Sequence, residues 1–274
     1  MSVDSCFFSS ELCSFIIPVG IELISPILRF NESRFRDLVR GVWDRISRSC
    51  TISTNESCGT HVHISQDTGF HVLDAMAIAR AVLHFEPAIN ALVPPHRRDP
   101  GAEYCKTFFG HDKKFQGMTP TQAIAKVNTI DRDEDVPPFV ELNEFTDPFG
   151  ETFAHPIAKL MNPGGDRSYT WNFTSLPRTS TIEFRQPPGV KTAAETLQWV
   201  EFAITFVKAA LLKAKPDDNL EAFNVNVGGL KEFLKIKAED FPREPANFFA
   251  TCDGSILEQL FDGVNDLARE PPLL

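Results

Sequence analysis

The sequence predicts an α+β fold because segments with helical period and segments with strand alternation occur along the same chain. Apolar residues recur every three or four positions, as on one face of a helix, in 35–46, 72–92 and 197–211. Apolar and polar residues alternate, as in half-buried strands, in 19–24, 60–65 and 181–186. Each strand is therefore expected to have an apolar side against a helical layer and a second side that carries polar groups.

The composition favours a globular domain and argues against two classes of partner. The 274 residues are 42% hydrophobic and 23% charged, and the formal net charge is −10. That charge argues against nucleic acids and anionic membranes, which bind basic surfaces. The stretch 15–28 is interrupted by Pro18, Glu22 and Pro26, so neither a signal peptide nor a membrane span is predicted. The six cysteines form no Cys-x-x-Cys pair, which favours a reducing, cytoplasmic location.

The predicted helices have recognisable ends. Asn31 is expected to cap the first helix, and the Pro94-Pro95 pair ends the second. Thr192 and Glu195 form a capping box at the start of the third. Shorter helices are predicted at 119–127, 230–236 and 255–267. A hairpin is predicted from the two strand-like segments 168–175 and 179–186.

Two segments lack a regular period. Residues 1–14 predict neither a strand nor a helix and are expected to form an unpatterned tail. Residues 131–166 are acidic and rich in Pro and Gly, and their length favours a lid or substrate loop over a passive surface loop. We therefore expect one main domain over 15–245, followed by a helical extension over 246–274.

The polar sides of the predicted strands carry residue types that bind metals and phosphates. His61 and His63 share one side of their strand, and Glu183 and Arg185 share one side of theirs. Either pair alone is also what a solvated sheet face shows, but their combination favours a site. If the strands join one sheet, its polar face gathers Glu22, His61, His63, Glu183 and Arg185.

The motifs around these residues resemble those of the fungal amidoligases, which are distant relatives of glutamine synthetase and glutamate–cysteine ligase. The similar segments are GIELISP at 20–26, SCGTHVHIS at 57–65, Arg167 with Asn172, and TIEFRQ at 181–186. Their order and spacing match over about residues 19–210, which implies that the domain over 15–245 is a ligase-like catalytic domain, incomplete at its N-terminus. The resemblance implies a curved antiparallel sheet of the glutamine-synthetase type, with helices packed on one face and an active-site cavity on the other.

The activity that the resemblance implies is ATP- and metal-dependent amide-bond formation. A substrate carboxylate is converted to an acyl phosphate, which an amine then attacks; the two substrates are small molecules or peptides. The implied ligands of Mg²⁺ or Mn²⁺ are Glu22, His61 and Glu183. The implied contacts with ATP come from His63, Ser65 and Arg185. Catalytic roles are implied for Glu183 and Arg185, substrate contacts for Asn172 and Arg167, and further phosphate or carboxylate contacts for Arg97 and Arg98.

One motif of the family has no counterpart here. Family members carry a Glu-x-Glu strand ahead of the segment that begins at Gly20, whereas the 19 residues before Gly20 contain only Asp4 and Glu11 as acids. We therefore expect a weaker metal site and a missing strand that leaves an open sheet edge. This is consistent with a fragment or a mis-started gene model, with a pseudoenzyme, or with a strand supplied by another subunit. The alternatives to a ligase are a binding or scaffold protein with a degenerate site, and a metal-dependent hydrolase or cupin-like oxygenase that uses His61 and His63.

Overall fold

An antiparallel sheet is combined with α-helices in the computed structural model, which describes residues 2–9, 19–30, 34–98, 101–130, 155–235 and 260–261. The strands are β1 (Ser2–Ser9), β2 (Val19–Ile24), β3 (Thr51–Ser53), β4 (Gly59–Ile64), β5 (Trp171–Asn172) and β6 (Ile182–Phe184). The helices are α1 (Arg34–Ser47), α2 (Val72–Leu92), α3 (Phe108–His111), α4 (Pro120–Val127), α5 (Pro156–Met161), α6 (Leu176–Thr179), α7 (Ala193–Lys213) and α8 (Val227–Leu234). Short 3-10 turns lie at Pro95–Arg97, Pro163–Gly165 and Leu220–Ala222.

The strands pair in the order β2-β1-β4-β6-β5, and β3 also pairs with β1. Every one of these pairings is antiparallel. The predicted α+β class with an antiparallel sheet is therefore confirmed. The predicted hairpin corresponds to β5 and β6, although the short helix α6 joins them in place of a tight turn.

Residues 2–9 form strand β1, so the prediction of neither strand nor helix over residues 1–14 is wrong for this part. β1 pairs with β2 on one side and with β3 and β4 on the other. A strand between two neighbours is held by backbone hydrogen bonds, which do not require side-chain alternation. Because β1 pairs with β4, the strand that was expected to be missing does not leave β4 as an open edge of the sheet.

The apolar side of the sheet packs against α7. The ring of Phe184 in β6 lies 6.3 Å from Trp199 and 5.6 Å from Phe202, both in α7, measured between centroids. Trp171 of β5 stacks on Phe184 at 4.5 Å. Since neighbouring residues on a strand face opposite ways, the helical layer lies opposite the polar side chains of β4 and β6. The helix α7 therefore packs on the apolar face, while the curved sheet of the glutamine-synthetase type and the cavity on its other face stay predictions.

The long helices agree closely with their predictions. α2 spans the predicted 72–92, and α7 begins after Thr192, whose Oγ1 accepts the Glu195 N–H at 3.1 Å. The Glu195 carboxylate accepts the N–H of Lys191 rather than that of the cap. None of the described helices combines the length and apolar character that a membrane crossing needs.

The shorter elements agree less well. α3, α5 and α6 lie in segments where no helix was predicted, and α5 falls inside the stretch 131–166 that was expected to lack regular structure. The remainder of the proposed lid, residues 131–154, lies outside the described residues. The same holds for the domain boundary at 245 and for most of the predicted helix 255–267.

A buried ion pair joins α1 to α7 within the helical layer. Arg36 Nε donates to Glu201 Oε1 at 2.7 Å, and the two side chains are 11% and 0% exposed. The pair is therefore shielded from solvent, and it fixes the position of α1 on α7.

Candidate functional site

The pairing register of three strands brings the central polar residues together. His63 of β4 lies directly across from Glu183 of β6, and Asn172 of β5 lies across from Glu183 on its other side. His61 is two residues before His63, so its side chain projects from the same face of β4. Backbone pairing between β4, β5 and β6 thus places these groups around one carboxylate.

Glu183 is the centre of this cluster. Its Oε1 lies 3.1 Å from His61 Nδ1, 3.5 Å from His63 Nε2 and 2.5 Å from Arg185 Nη1. Arg185 Nη1 is also 3.3 Å from His61 Nδ1. The sequence prediction that these four side chains converge on one face is therefore confirmed, and we refer to them below as the Glu183 cluster.

Asn172 holds the second carboxylate oxygen. Its Nδ2 donates to Glu183 Oε2 at 2.7 Å, and its Oδ1 accepts the backbone N–H of Thr174 at 2.9 Å and the Thr174 hydroxyl at 2.7 Å. The two donors from Thr174 fix which end of the amide faces Glu183. Asn172 is fully buried and supports the carboxylate, while its predicted contact with substrate stays a prediction.

The surroundings of Glu183 keep it ionised. Burial alone would raise its pKa, but the hydrogen bond from His61, the charge of Arg185 and the hydrogen bond from Asn172 outweigh burial and lower the pKa to about 2. Burial lowers the pKa of His63 below its ordinary 6.5, and the negative charge of Glu183 only partly opposes this effect. At neutral pH the cluster therefore contains a carboxylate beside an uncharged His63 imidazole.

The cluster opens to solvent at His63, whose side chain is 34% exposed, whereas the side chain of Glu183 is 1% exposed. Ser65 follows β4 directly and is exposed. Arg167 is exposed in the turn before β5, and its positive charge helps to lower the pKa of His63. Ser65 and Arg167 therefore lie in exposed segments next to the strands of the cluster, and their predicted contacts with ATP and substrate stay predictions.

Glu22 is more distant in the sheet. It is an exposed residue of β2, and β1 lies between β2 and β4. Adjacent strands are about 4.8 Å apart, so about 10 Å separates the backbones of β2 and β4. Among the residues that the structure describes, no group of three or more His, Cys, Asp or Glu side chains could hold a metal ion.

The donor types of the cluster suit a divalent cation, but their arrangement does not. Two imidazole nitrogens and a carboxylate oxygen are ordinary ligands for such ions. Here, however, the guanidinium of Arg185 contacts both Glu183 Oε1 and His61 Nδ1 and compensates the carboxylate charge. The cluster as folded is therefore an ion pair flanked by imidazoles and does not fit a resident metal. Metal binding by Glu22, His61 and Glu183 would require Arg185 to leave these contacts, and it stays an untested prediction.

Arg97 and Arg98 correct the expectation that they contact phosphate or carboxylate. Arg97 is 3% exposed, and it donates from Nε to the Gln186 carbonyl at 3.1 Å and from Nη2 to the Arg185 carbonyl at 2.5 Å. Arg98 Nη1 donates to the Asn90 carbonyl at 3.1 Å. Both guanidinium groups therefore donate to backbone carbonyls.

Comparison with known proteins adds a family assignment to this geometry. The family model described as a putative amidoligase enzyme matches residues 6–207. The chain belongs to this amidoligase family. The match includes β2, β4, β5 and β6 and therefore the whole Glu183 cluster. Comparison with curated proteins and with solved structures gives no match.

The sequence motifs left two supporting residues of the cluster unidentified. Thr174 orients Asn172. The sequence pattern that could have identified this contact is the Asn-x-Thr spacing, because an Asn side chain often accepts the backbone N–H of the residue two positions later. Gly59 leaves room for the Arg97 guanidinium, since a Cβ at Gly59 would lie 2.9 Å from Arg97 Nη2. No sequence spacing connects residues 59 and 97, so only the fold reveals this second contact.

Proposed function

We propose that this amidoligase joins a carboxylate to an amine in an ATP-dependent reaction. The observation that carries the proposal is the Glu183 cluster, which combines a buried carboxylate and guanidinium with a half-exposed imidazole on the polar side of the sheet. Family membership supplies the reaction class. A sheet of the glutamine-synthetase type is part of the same proposal, supported by the antiparallel pairing and the helices on one face.

The chemistry has two steps. An oxygen of the substrate carboxylate attacks the γ-phosphorus of ATP, ADP leaves, and an acyl phosphate forms. The nitrogen of the amine then attacks the acyl carbon, phosphate leaves, and the amine loses one proton. ATP enters as its Mg²⁺ complex, so the ion is part of the substrate, and no step passes through a resident metal.

The residues of the cluster have distinct roles in this scheme. Arg185 offers positive charge to the transferred phosphoryl group, whose transition state is stabilised mainly by positioning and electrostatics. His63 is uncharged and reaches solvent, so its imidazole can accept the proton that the amine releases. Glu183 holds Arg185 and both imidazoles in place. Ser65 and Arg167, at the exposed side, are proposed to contact nucleotide and substrate.

A hydroxylamine trap tests the proposal without knowledge of the natural amine. Purified protein is incubated with Mg–ATP, hydroxylamine and pools of small carboxylic acids and peptides, and hydroxamate and ADP are measured. We expect equal amounts of both products with at least one pool, and none with the Glu183→Gln variant. Folded protein that gives no hydroxamate with any pool would overturn the proposal, whether or not it binds Mg–ATP.

A second candidate is a nucleotide-binding protein that does not turn over. It is favoured by the contact of 2.5 Å between Arg185 and Glu183, which satisfies the carboxylate without any ligand. This candidate predicts calorimetric binding of Mg–ATP with no hydroxamate from any pool. The proposed ligase predicts both signals, so the same experiment separates the two functions.

A cytoplasmic location is proposed along with the ligase activity. ATP is abundant there, and the thiols of Cys50 and Cys105, which lie outside any disulfide, suit a reducing compartment. We also propose small-molecule or peptide substrates and no nucleic-acid or membrane partner, in keeping with the formal net charge of −10.

A further inference from the structure

The chain that leaves β6 continues beside β4 as an irregular ladder, with an isolated bridge between Gly59 and Pro188. Residues 187 and 188 are both proline and have no backbone N–H, so they can only accept hydrogen bonds. The Pro187 carbonyl accepts the backbone N–H of Thr60 at 3.1 Å, and the Pro188 carbonyl accepts the Thr60 hydroxyl at 2.9 Å. The two carbonyls before them, at Arg185 and Gln186, need donors from elsewhere in the fold.

Arg97 supplies both donors. Its Nε donates to the Gln186 carbonyl at 3.1 Å and its Nη2 to the Arg185 carbonyl at 2.5 Å. A guanidinium is a rigid fork that can reach two adjacent acceptors, whereas the ammonium of lysine is a single point on a flexible chain. The planar fork of Arg97 therefore fixes the backbone at the residue whose side chain contacts Glu183.

The position of Arg97 is itself set by close packing. Its side chain is 3% exposed, and the Cys105 thiol donates to its backbone carbonyl at 3.4 Å. Gly59 lies against the guanidinium, where an added Cβ would come within 2.9 Å of Nη2 and 3.3 Å of Cζ. A side chain at residue 59 would therefore displace Arg97 from the carbonyls that it bonds.

We infer that Arg97 is a positioning residue, which acts through Arg185 and not on the substrate. The inference rests on the proposed function, since Arg185 is the group that would meet the phosphoryl oxygens. The side chain of Arg185 is held between Glu183 Oε1 at 2.5 Å and His61 Nδ1 at 3.3 Å. A small shift of its backbone moves the guanidinium out of both contacts, and displacements of about 1 Å in a catalytic group can lower turnover about 100-fold.

The test compares two adjacent arginines with the same substitution. Arg97→Lys removes the fork that bonds the carbonyls of 185 and 186, and Arg98→Lys is the matched control because Arg98 bonds the Asn90 carbonyl instead. Both variants are prepared with ¹⁵N-labelled arginine, and the side-chain resonance of Arg185 is assigned with Arg185→Lys. We expect Arg97→Lys to shift or broaden the Arg185 resonance and Arg98→Lys to leave it unchanged.

The kinetic arm uses hydroxamate formation per folded molecule. A positioning role predicts at least about a tenfold lower kcat for Arg97→Lys, with kcat of Arg98→Lys close to wild type. If Arg97→Lys does not fold, Gly59→Ala replaces it, because that variant keeps every donor and only displaces the guanidinium. The inference is overturned if the Arg185 resonance is unchanged in the folded variant, whether that variant is Arg97→Lys or Gly59→Ala. It is also overturned if the variant has a lower melting temperature but an unaltered kcat.

Failure of the proposed function and failure of the inference about Arg97 give different experimental results. If wild-type protein gives no hydroxamate, the proposed function fails, while the Arg185 resonance still reports whether Arg97 sets the position of that side chain. If hydroxamate forms but the variants leave the resonance and kcat unchanged, the inference about Arg97 fails alone.

Discussion

Two buried arginine–glutamate pairs of this protein have similar geometry and different surroundings. The pair between α1 and α7 joins Arg36 to Glu201 at 2.7 Å, and the pair at the end of β6 joins Arg185 to Glu183 at 2.5 Å. All four side chains are at most 13% exposed. The carboxylate of Glu183 also meets two imidazoles, one of which is partly exposed. The carboxylate of Glu201 lies in the helical layer on the other side of the sheet.

The comparison shows that burial and ion pairing do not identify a site. A buried ion pair is costly to desolvate, and its presence alone says little about stability or chemistry. What distinguishes Glu183 is that its neighbours can exchange protons and that the cluster reaches solvent through His63. We therefore expect the helical pair to govern stability and the Glu183 cluster to govern turnover.

Breaking the ion pair between Arg36 and Glu201 should have the largest effect, and the effect should be on stability. Glu201→Gln leaves the buried Arg36 without a charged partner, which typically costs about 3–5 kcal/mol in free energy of unfolding. Urea unfolding measures this loss, and turnover per folded molecule should stay at the wild-type level. In the double variant Arg36→Met with Glu201→Leu, most of the stability should return. A strongly lowered turnover in that folded double variant would contradict the separation of the two pairs.

Among the predicted effects on turnover, neutralising the Glu183 carboxylate should have the largest. Glu183→Gln removes the charge that holds Arg185, so hydroxamate formation should fall about 100- to 1,000-fold, which corresponds to about 3–4 kcal/mol in the activation barrier. Circular dichroism checks that the variant is folded. Glu232→Gln is the matched control, because Glu232 pairs with Lys235 on the surface. Wild-type turnover in folded Glu183→Gln would remove the basis for placing chemistry at this cluster.

A third buried glutamate should give stability a pH dependence. Glu86 of α2 accepts the N–H groups of Phe108 and Phe109 at 2.7 and 2.9 Å, and burial raises its pKa from 4.5 to about 7 despite these bonds. Because the folded-state pKa is raised, the stabilisation is complete below pH 4.5 and is lost as the pH rises through about 7.

The measurement is urea unfolding as a function of pH. Glu86→Gln cannot titrate, so the decline in wild-type stability between about pH 4.5 and pH 7, up to about 3 kcal/mol, should be absent from the variant. Equal slopes for wild type and variant over this range would show that Glu86 is not the group responsible.

The smallest effect is expected from replacing Asn172, which supports the Glu183 carboxylate. Asn172→Ala removes the hydrogen bond to Glu183 Oε2, and hydrogen bonds to charged groups contribute about 1.5–3 kcal/mol. We expect about tenfold lower turnover in folded protein. Thr174→Ser keeps the hydroxyl that orients Asn172 and should behave as wild type. If Asn172→Ala retained full turnover, the carboxylate would need no amide donor to stay in position.

Much of the site could be predicted from side-chain alternation. Since strand residues alternate between faces, His61 with His63 and Glu183 with Arg185 had to project from the polar sides of their strands. The apolar partners Val62, Ile182 and Phe184 are correspondingly buried. The long helices were equally predictable, because their apolar period extends over many turns and their ends carry capping residues.

Sequence patterns failed where backbone pairing or distant contacts decide the structure. β1 carries no clear alternation, and its place between β2 and β4 depends on hydrogen bonds with its neighbours. Arg97 was expected to meet a ligand because a guanidinium binds phosphate, yet it bonds the carbonyls of Arg185 and Gln186. The direction of a side chain follows from local pattern, but its partner depends on chain segments far away in sequence.

The amino-acid sequence by itself determined which residues face the polar side of the sheet, where the long helices begin and end, and to which family the motifs are similar. Only the tertiary structure decided that Arg185 contacts Glu183 and His61, that Asn172 supports the same carboxylate, and that Arg97 holds the backbone of the strand end. The physical reason is the separation along the chain over which each effect acts. Alternation and capping act within a few residues, whereas the register of β4 and β6 joins positions more than a hundred residues apart, such as 63 and 183.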